Sequence, residues 1–174
     1  MRRIKIFLAS SIVEFEHERH ALKNFCRQLE NALIDCDIYL RMFVCEYADN
    51  AVAAGRKQDE FSHEIDDSDI FLILVGKRLG DFTLEEYDYV LETQRRRGDG
   101  LPKILAAFSA CGDVEQSAGD FAKNLSVDAV PIEFDDVGKI KAALALSICE
   151  LLNGAVSYKI ENERIIVAEK VIKL

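Results

Sequence analysis

The sequence holds no C-x-x-C pair, no long apolar run, and no basic stretch beyond the three arginines at 95–97. Each absence removes a class of answer. The longest apolar segment falls far short of the ~20 residues that a bilayer crossing needs, so no membrane role is expected. A net charge of −9 without a basic face argues against a general nucleic-acid binder, which must displace counterions from phosphates. Arg95, Arg96 and Arg97 instead suit the negative end of a helix dipole, just ahead of Gly98 as C-cap. Cys26, Cys36, Cys45, Cys111 and Cys149 are odd in number and widely spaced, which reads as free thiols in a reducing compartment rather than a disulfide framework or a zinc site. His17 and His20 share a helix face, but no further ligand spacing supports a metal. "MRRIKIFLAS" begins like a signal peptide, yet Lys5 interrupts its apolar part, so it reads as a strand and a cytoplasmic chain is expected.

What is present is a soluble globular composition. The 174 residues are 49% apolar and 30% charged, enough for one domain with a sizeable core. Strand-like and helix-like segments alternate throughout. The predicted strands are 4–10, 38–44, 70–75, 103–108 and 129–134. Between them lie an amphipathic helix carrying Leu22, Phe25, Cys26, Leu29 and Leu33, a loop at 45–56 with a short polar helix behind it, a helix from about Thr83 to Arg97, and a weak helix over 113–125. A helix over 138–152 follows the last strand.

Such alternation predicts an α/β fold, a flavodoxin-like three-layer sandwich on a five-stranded parallel sheet. Strands one, three and four are nearly continuous apolar runs that suit central positions. Arg41 in strand two and Pro131 in strand five suit edges. The order 2-1-3-4-5 satisfies both conditions and places a ligand site at the carboxyl ends of strands one and three. "SYKI" and "RIIVAEKVI" around "ENE" read as a C-terminal β-hairpin, which divides the chain into 1–154 and an extension at 155–174. The ending on Leu174 without a polar tail suits the first domain of a longer protein.

The switch point collects Ser10 and Ser11 after strand one, and Gly76, Lys77, Arg78 and Gly80 after strand three, with Glu86 at the following helix start. A phosphorylated receiver domain is excluded because "LASS" and "LVGK" lack its metal-binding acids, and neither G-x-x-x-x-G-K-[ST] nor G-x-G-x-x-G occurs. Glu86 admits two roles that do not exclude each other. In "TLEE" it completes a capping box with Thr83, and at the crevice it is a carboxylate facing a ligand.

"KIFLASS" and "GRKQDEFSHEIDDSDIFLILVGKRLGDFTLEEYDYVLE" resemble a Toll/interleukin-1 receptor (TIR) domain of the prokaryotic kind, over roughly residues 3–153. In enzymatic members a tryptophan and usually a cysteine precede the catalytic glutamate as W-C-x-x-E. Here Phe82, Thr83 and Glu86 occupy those places. "GDFTLEE" is also similar to the D-x-G-T-x-x-E motif of nucleoside 2-deoxyribosyltransferases, without its Gly-Thr pair, and aligns the same glutamate.

The resemblance implies an NAD glycohydrolase with NAD as substrate and no resident cofactor, releasing nicotinamide as a bacterial defence or signalling effector activated by self-association. It implies Glu86 as the catalytic residue and assembly through the 46–56 loop and adjacent helices. Ser10, Ser11, Glu46, Tyr47, Lys77, Arg78 and Phe82 are the candidate substrate contacts. A non-catalytic TIR interaction module and a deoxyribosyltransferase-like N-glycosidase are the alternatives.

Overall fold

A computed structural model describes residues 1–11, 13–44, 61–110, 112 and 114–174, with Asp81 and Phe82 described by backbone alone. The loop at 45–56, with Glu46 and Tyr47, lies outside the described residues, as does the start of the polar helix behind it.

Five parallel strands form the central sheet: β1 (Arg2–Ala9), β2 (Ile38–Val44), β3 (Ile70–Val75), β4 (Lys103–Ser109) and β5 (Ala129–Phe134), in the order β2-β1-β3-β4-β5. This is the order read from the sequence, with Pro131 on the β5 edge and Arg41 on the β2 edge, where it pairs with Glu64 at 2.9 Å. The helices are α1 (Glu16–Leu33), α2 (residues 61–66), α3 (Asp81–Arg97), α4 (Gln116–Lys123) and α5 (Val137–Leu151). Among the described residues no helix is long and apolar enough to cross a membrane.

The side-chain alternation of a strand divides the core in two. Ile4, Ile6 and Leu8 of β1 and Ile70, Leu72 and Leu74 of β3 face α1 and α5. Phe7 and Ala9 of β1 and Phe71, Ile73 and Val75 of β3 face the other way, against Ile65, Tyr87, Val90 and Phe121. Phe7 stacks between Phe43 and Phe71, with ring centroids 5.3 and 5.5 Å away. All six β3 residues are buried, as expected for a central parallel strand covered on both faces. Asp69 ties the amino ends together: its carboxylate accepts from the Lys5 amide at 2.8 Å and its carbonyl from the Lys103 amide at 2.9 Å.

The C-terminal segment differs from the expected hairpin. "RIIVAEKVI" breaks at Ala168 and Glu169, both at positive φ, so three antiparallel strands form: β6 (Tyr158–Glu161), β7 (Arg164–Val167) and β8 (Lys170–Lys173). A two-residue turn with both residues left-handed matches strand twist, and the run of apolar letters hid it. Val156, Ile165, Val167 and Ile172 join the same core cluster as α1 and α5, so this small sheet is part of the domain's apolar interior. Lys170 fastens it further, donating to the Asn31 carbonyl and to Asp35 on the α1 side, at 3.0 and 2.8 Å.

Ile165 is fully buried. Ile165→Ala is therefore expected to lower unfolding stability by about 2–4 kcal/mol in urea titration, within one cooperative transition rather than a separate melting of the tail.

Candidate functional site

The carboxyl ends of β1 and β3 are joined by a contact between a side chain and the backbone beside a glycine. The Glu14 carboxylate, in the turn leading to α1, lies over Gly76 and accepts from the Lys77 amide at 2.8 Å. A Cβ at Gly76 would overlap that carboxyl. Glu14 was not among the residues read from the sequence. It lies ahead of a helix in a stretch with no motif, and only the fold brings it beside β3.

Of the sequence-predicted contacts, Ser10 ends β1 with its Oγ buried and without a hydrogen-bond partner among the described residues. An orphaned buried hydroxyl is uncommon. Ser11 is exposed, and its Oγ accepts from the Glu14 amide at 3.3 Å, so it closes the turn before α1. Lys77 is exposed, with its stem passing Gly112, and its carbonyl accepts from the Glu115 amide at 2.8 Å. Arg78 points elsewhere, toward Glu115, with Nε 4.0 Å from the carboxylate. The side chain of Phe82 lies outside the described residues.

Helix α3 starts earlier than its sequence suggests. Gly80, in extended conformation, is the N-cap, and its carbonyl accepts from the Leu84 amide at 3.1 Å. Thr83 is therefore an interior, buried residue, and the capping box expected from "TLEE" does not form. The triple arginine does end the helix as expected, with Gly98 as the left-handed C-cap. Arg97 donates to the Ser68 carbonyl at 2.7 Å, and Arg96 pairs with Asp66.

The rotational setting of α3 is fixed by its flanks. On one side the Tyr87 ring meets Phe121 of α4 edge-on at 4.7 Å, and its hydroxyl accepts from the Ser126 amide at 2.9 Å. On the other, Tyr89 and Thr93 donate to the Asp66 carboxylate of α2 at 3.1 and 2.9 Å. Thr83, Glu86, Val90 and Thr93 form the buried stripe between, at the i, i+3, i+7, i+10 spacing of one helix face. Glu86 is consequently only 9% exposed. Burial, with the neighbouring Glu85 charge as the lesser cause, raises its pKa to about 7.

Beside Gly76 an open cavity of about 730 Å³ runs along the carboxyl ends of β3, β4 and β5, bounded by Val75, Phe108, Ala110, Val114 and Glu133. Glu86 is not on its wall. A larger cleft of about 830 Å³ sits at the amino ends of β4 and β5, around Gln94, Lys103 and Glu150. The carboxyl-end cleft takes no lining residue from β1, so it adjoins the switch point between β1 and β3 across Gly76 rather than occupying it. Among the described residues no group of His, Cys, Asp and Glu could hold a metal ion. The buried thiols are poor nucleophiles, with burial pushing Cys26 up to about 12 and Cys149 up to about 11.

The buried acid has a measurable signature. Its unfolded-state pKa is 4.5 and its folded pKa about 7, so the folded state holds the proton more tightly. Below pH 4.5 the group is neutral in both states, and the stability penalty grows as pH rises from there, reaching its full size above 7. Glu86→Gln is expected to stabilise the protein at pH 8 by up to roughly 3 kcal/mol, and to change little at pH 4.5, in chemical denaturation series.

Comparison with known proteins shows the family of the chain. A solved structure of a CMP N-glycosidase from Clostridium botulinum is similar at a TM-score of 0.48 and 12% identity, covering 81% of this chain and 98% of that one. No curated protein matches the chain. The family model that matches is not that of the TIR domains; it covers residues 5–148, the whole of the parallel-sheet unit apart from its two ends. The chain belongs to the family described as Domain of unknown function (DUF4062).

Proposed function

We propose that the domain cleaves the N-glycosidic bond of a nucleotide, with NAD as substrate and nicotinamide plus ADP-ribose, or a cyclic isomer, as products. The observation that carries the reading is Glu86, an acid buried on the inward face of α3 with its pKa raised to about 7. Acids that serve only the fold are seldom buried without a cation, and strongly perturbed carboxyls concentrate at functional sites.

The chemistry suits one carboxylate. Glycosidases acting on sugars need a second group to protonate the leaving alcohol. The pyridinium of NAD departs as neutral nicotinamide and needs none. An arriving cation also lowers the Glu86 pKa, by the same electrostatics through which Glu85 raises it. The ionised carboxylate then stabilises the oxocarbenium-like ribose through its hydroxyls, or captures it covalently.

Ser10, with its unpartnered Oγ, supports a polar contact to the substrate, and Lys77 is the basic residue nearest the Gly76 turn for a pyrophosphate. Arg78 is exposed, with only a 4.0 Å surface pair to Glu115, and stays in this reading on the strength of the sequence. Ser11, Phe82, Glu46 and Tyr47 stay in it on the strength of the sequence. The defence or signalling role, activated by self-association around residues 46–56, belongs to the same proposal and rests on the TIR-like motif.

Glu14 favours a second reading. The crevice is not served by a lone acid, because the fold adds this second carboxyl over Gly76. A nucleoside monophosphate, whose base leaves more readily when protonated, would use Glu86 as general acid.

The two readings give opposite pH profiles. In the first, kcat/KM for nicotinamide release rises with pH through about 7. In the second, kcat/KM for base release from a nucleoside monophosphate falls above about 7. In either case Glu86→Gln, assayed at high protein concentration, is expected to lose activity by about 100-fold or more while remaining folded. Equal turnover in wild type and variant removes Glu86 from the mechanism. Gly76→Ala evicts Glu14 and is expected to impair monophosphate cleavage while leaving NAD cleavage intact.

A further inference from the structure

The small C-terminal sheet has two edge strands, β6 and β8, and β6 is the one exposed along its whole length. All four residues of β6 are exposed, including Tyr158 at 43% and Ile160 at 36%. Both are on the inner face of the sheet, since Tyr158 pairs with the buried Val167 and Ile160 with the buried Ile165. They are core-type side chains that overhang an edge. β6 has the shortness and the charges, Lys159 and Glu161, that guard many edge strands against unspecific pairing, so only a partner that matches those charges is expected on it.

Ladder parity shows which β6 groups are unpaired. The Ala168 amide donates to the Ser157 carbonyl at 3.1 Å, so 157, 159 and 161 are the residues whose amide and carbonyl face β7. Those of Tyr158 and Ile160 face outward. A second strand must present its own outward-facing groups to them.

We propose that this edge pairs with the β6 of a second copy of the chain, antiparallel, about a two-fold axis at Ile160. Four registers, with the axis at Tyr158, Lys159, Ile160 or Glu161, match outward groups along the strand, and the charges select one, since an axis at Tyr158 opposes no pair of charges. An axis at Lys159 sets lysine against lysine, and an axis at Glu161 sets glutamate against glutamate. An axis at Ile160 sets Lys159 opposite Glu161 of the second copy, twice, in the closely spaced non-hydrogen-bonded positions where cross-strand pairs interact most.

The same register exchanges two hydrogen bonds between the Ile160 residues and brings their side chains together on the inner face. Lys159 and Glu161 already form an ion pair within the strand, which places both on the outer face, ready for the exchange. The result is a continuous six-stranded antiparallel sheet across two copies. This surface is distant in sequence from the 46–56 loop, and the inference is independent of the reaction.

The test is sedimentation velocity of the full 174-residue chain over a dilution series up to about 1 mM, comparing wild type, Lys159→Glu, Glu161→Lys and an equimolar mixture of the two variants. Both substitutions are at exposed positions and leave the fold intact. The wild type is expected to show a monomer–dimer equilibrium. Each variant alone turns both cross-strand pairs repulsive and raises the dissociation constant by about tenfold or more. In the mixture, a strand with acids at both positions meets a strand with lysines at both, so dimer returns as the heterodimer.

A wild type that stays monomeric throughout overturns the proposal. So do variants that dimerise as tightly as wild type, which would put self-association on another face. Slow hydrogen exchange of the Tyr158 and Ile160 amides in a monomeric chain overturns it as well, by assigning the edge to another occupant.

Discussion

The structure depends on the complete withdrawal of one strand from water. β3 is six apolar residues buried on both faces, with no polar side chain along its length. Hydrophobic burial on that scale sets the sheet order, because flanking strands and two helical layers are needed to cover it. It also displaces every polar function to the strand's ends. At the amino end Asp69 serves β1 and β4 through its carboxylate and carbonyl. At the carboxyl end Gly76 leaves room for the Glu14 carboxylate, and the Lys77 amide receives it.

Much of this architecture is legible from side-chain periodicity. Continuous apolar runs marked β1, β3 and β4 as central, and single residues, Arg41 and Pro131, marked the edges. What escaped was set by turns and by distance. Ala168 and Glu169 adopt left-handed backbone without glycine, so an apolar run concealed a reversal. Gly80 starts α3 without any side-chain cap, so a T-x-x-E string looked like the helix boundary when it sits inside the helix. Local pattern favoured the wrong start because the stripe of buried residues, Thr83 included, is decided by tertiary packing.

Glu86 shows the same override at the site. The sequence identifies the residue, by position after the third strand and by a loose motif, but cannot say which way it faces. That follows from contacts made by its neighbours to α2 and α4. Glu14 is the converse case: its sequence context is featureless, and its place at the crevice arises from the parallel pairing of β1 with β3, where Ala9 is opposite Ile73. One acid is found by motif and oriented by packing, and the other is found by packing alone.

The Tyr87 hydroxyl, bound to the Ser126 amide, and the Phe121 ring beside it act as a stop against rolling of the α3 cylinder. Turning Glu86 toward bulk water would require Tyr87 to leave its socket and break that bond. The raised pKa of the hidden acid is therefore a standing property of the resting molecule, fixed by a tyrosine one residue away.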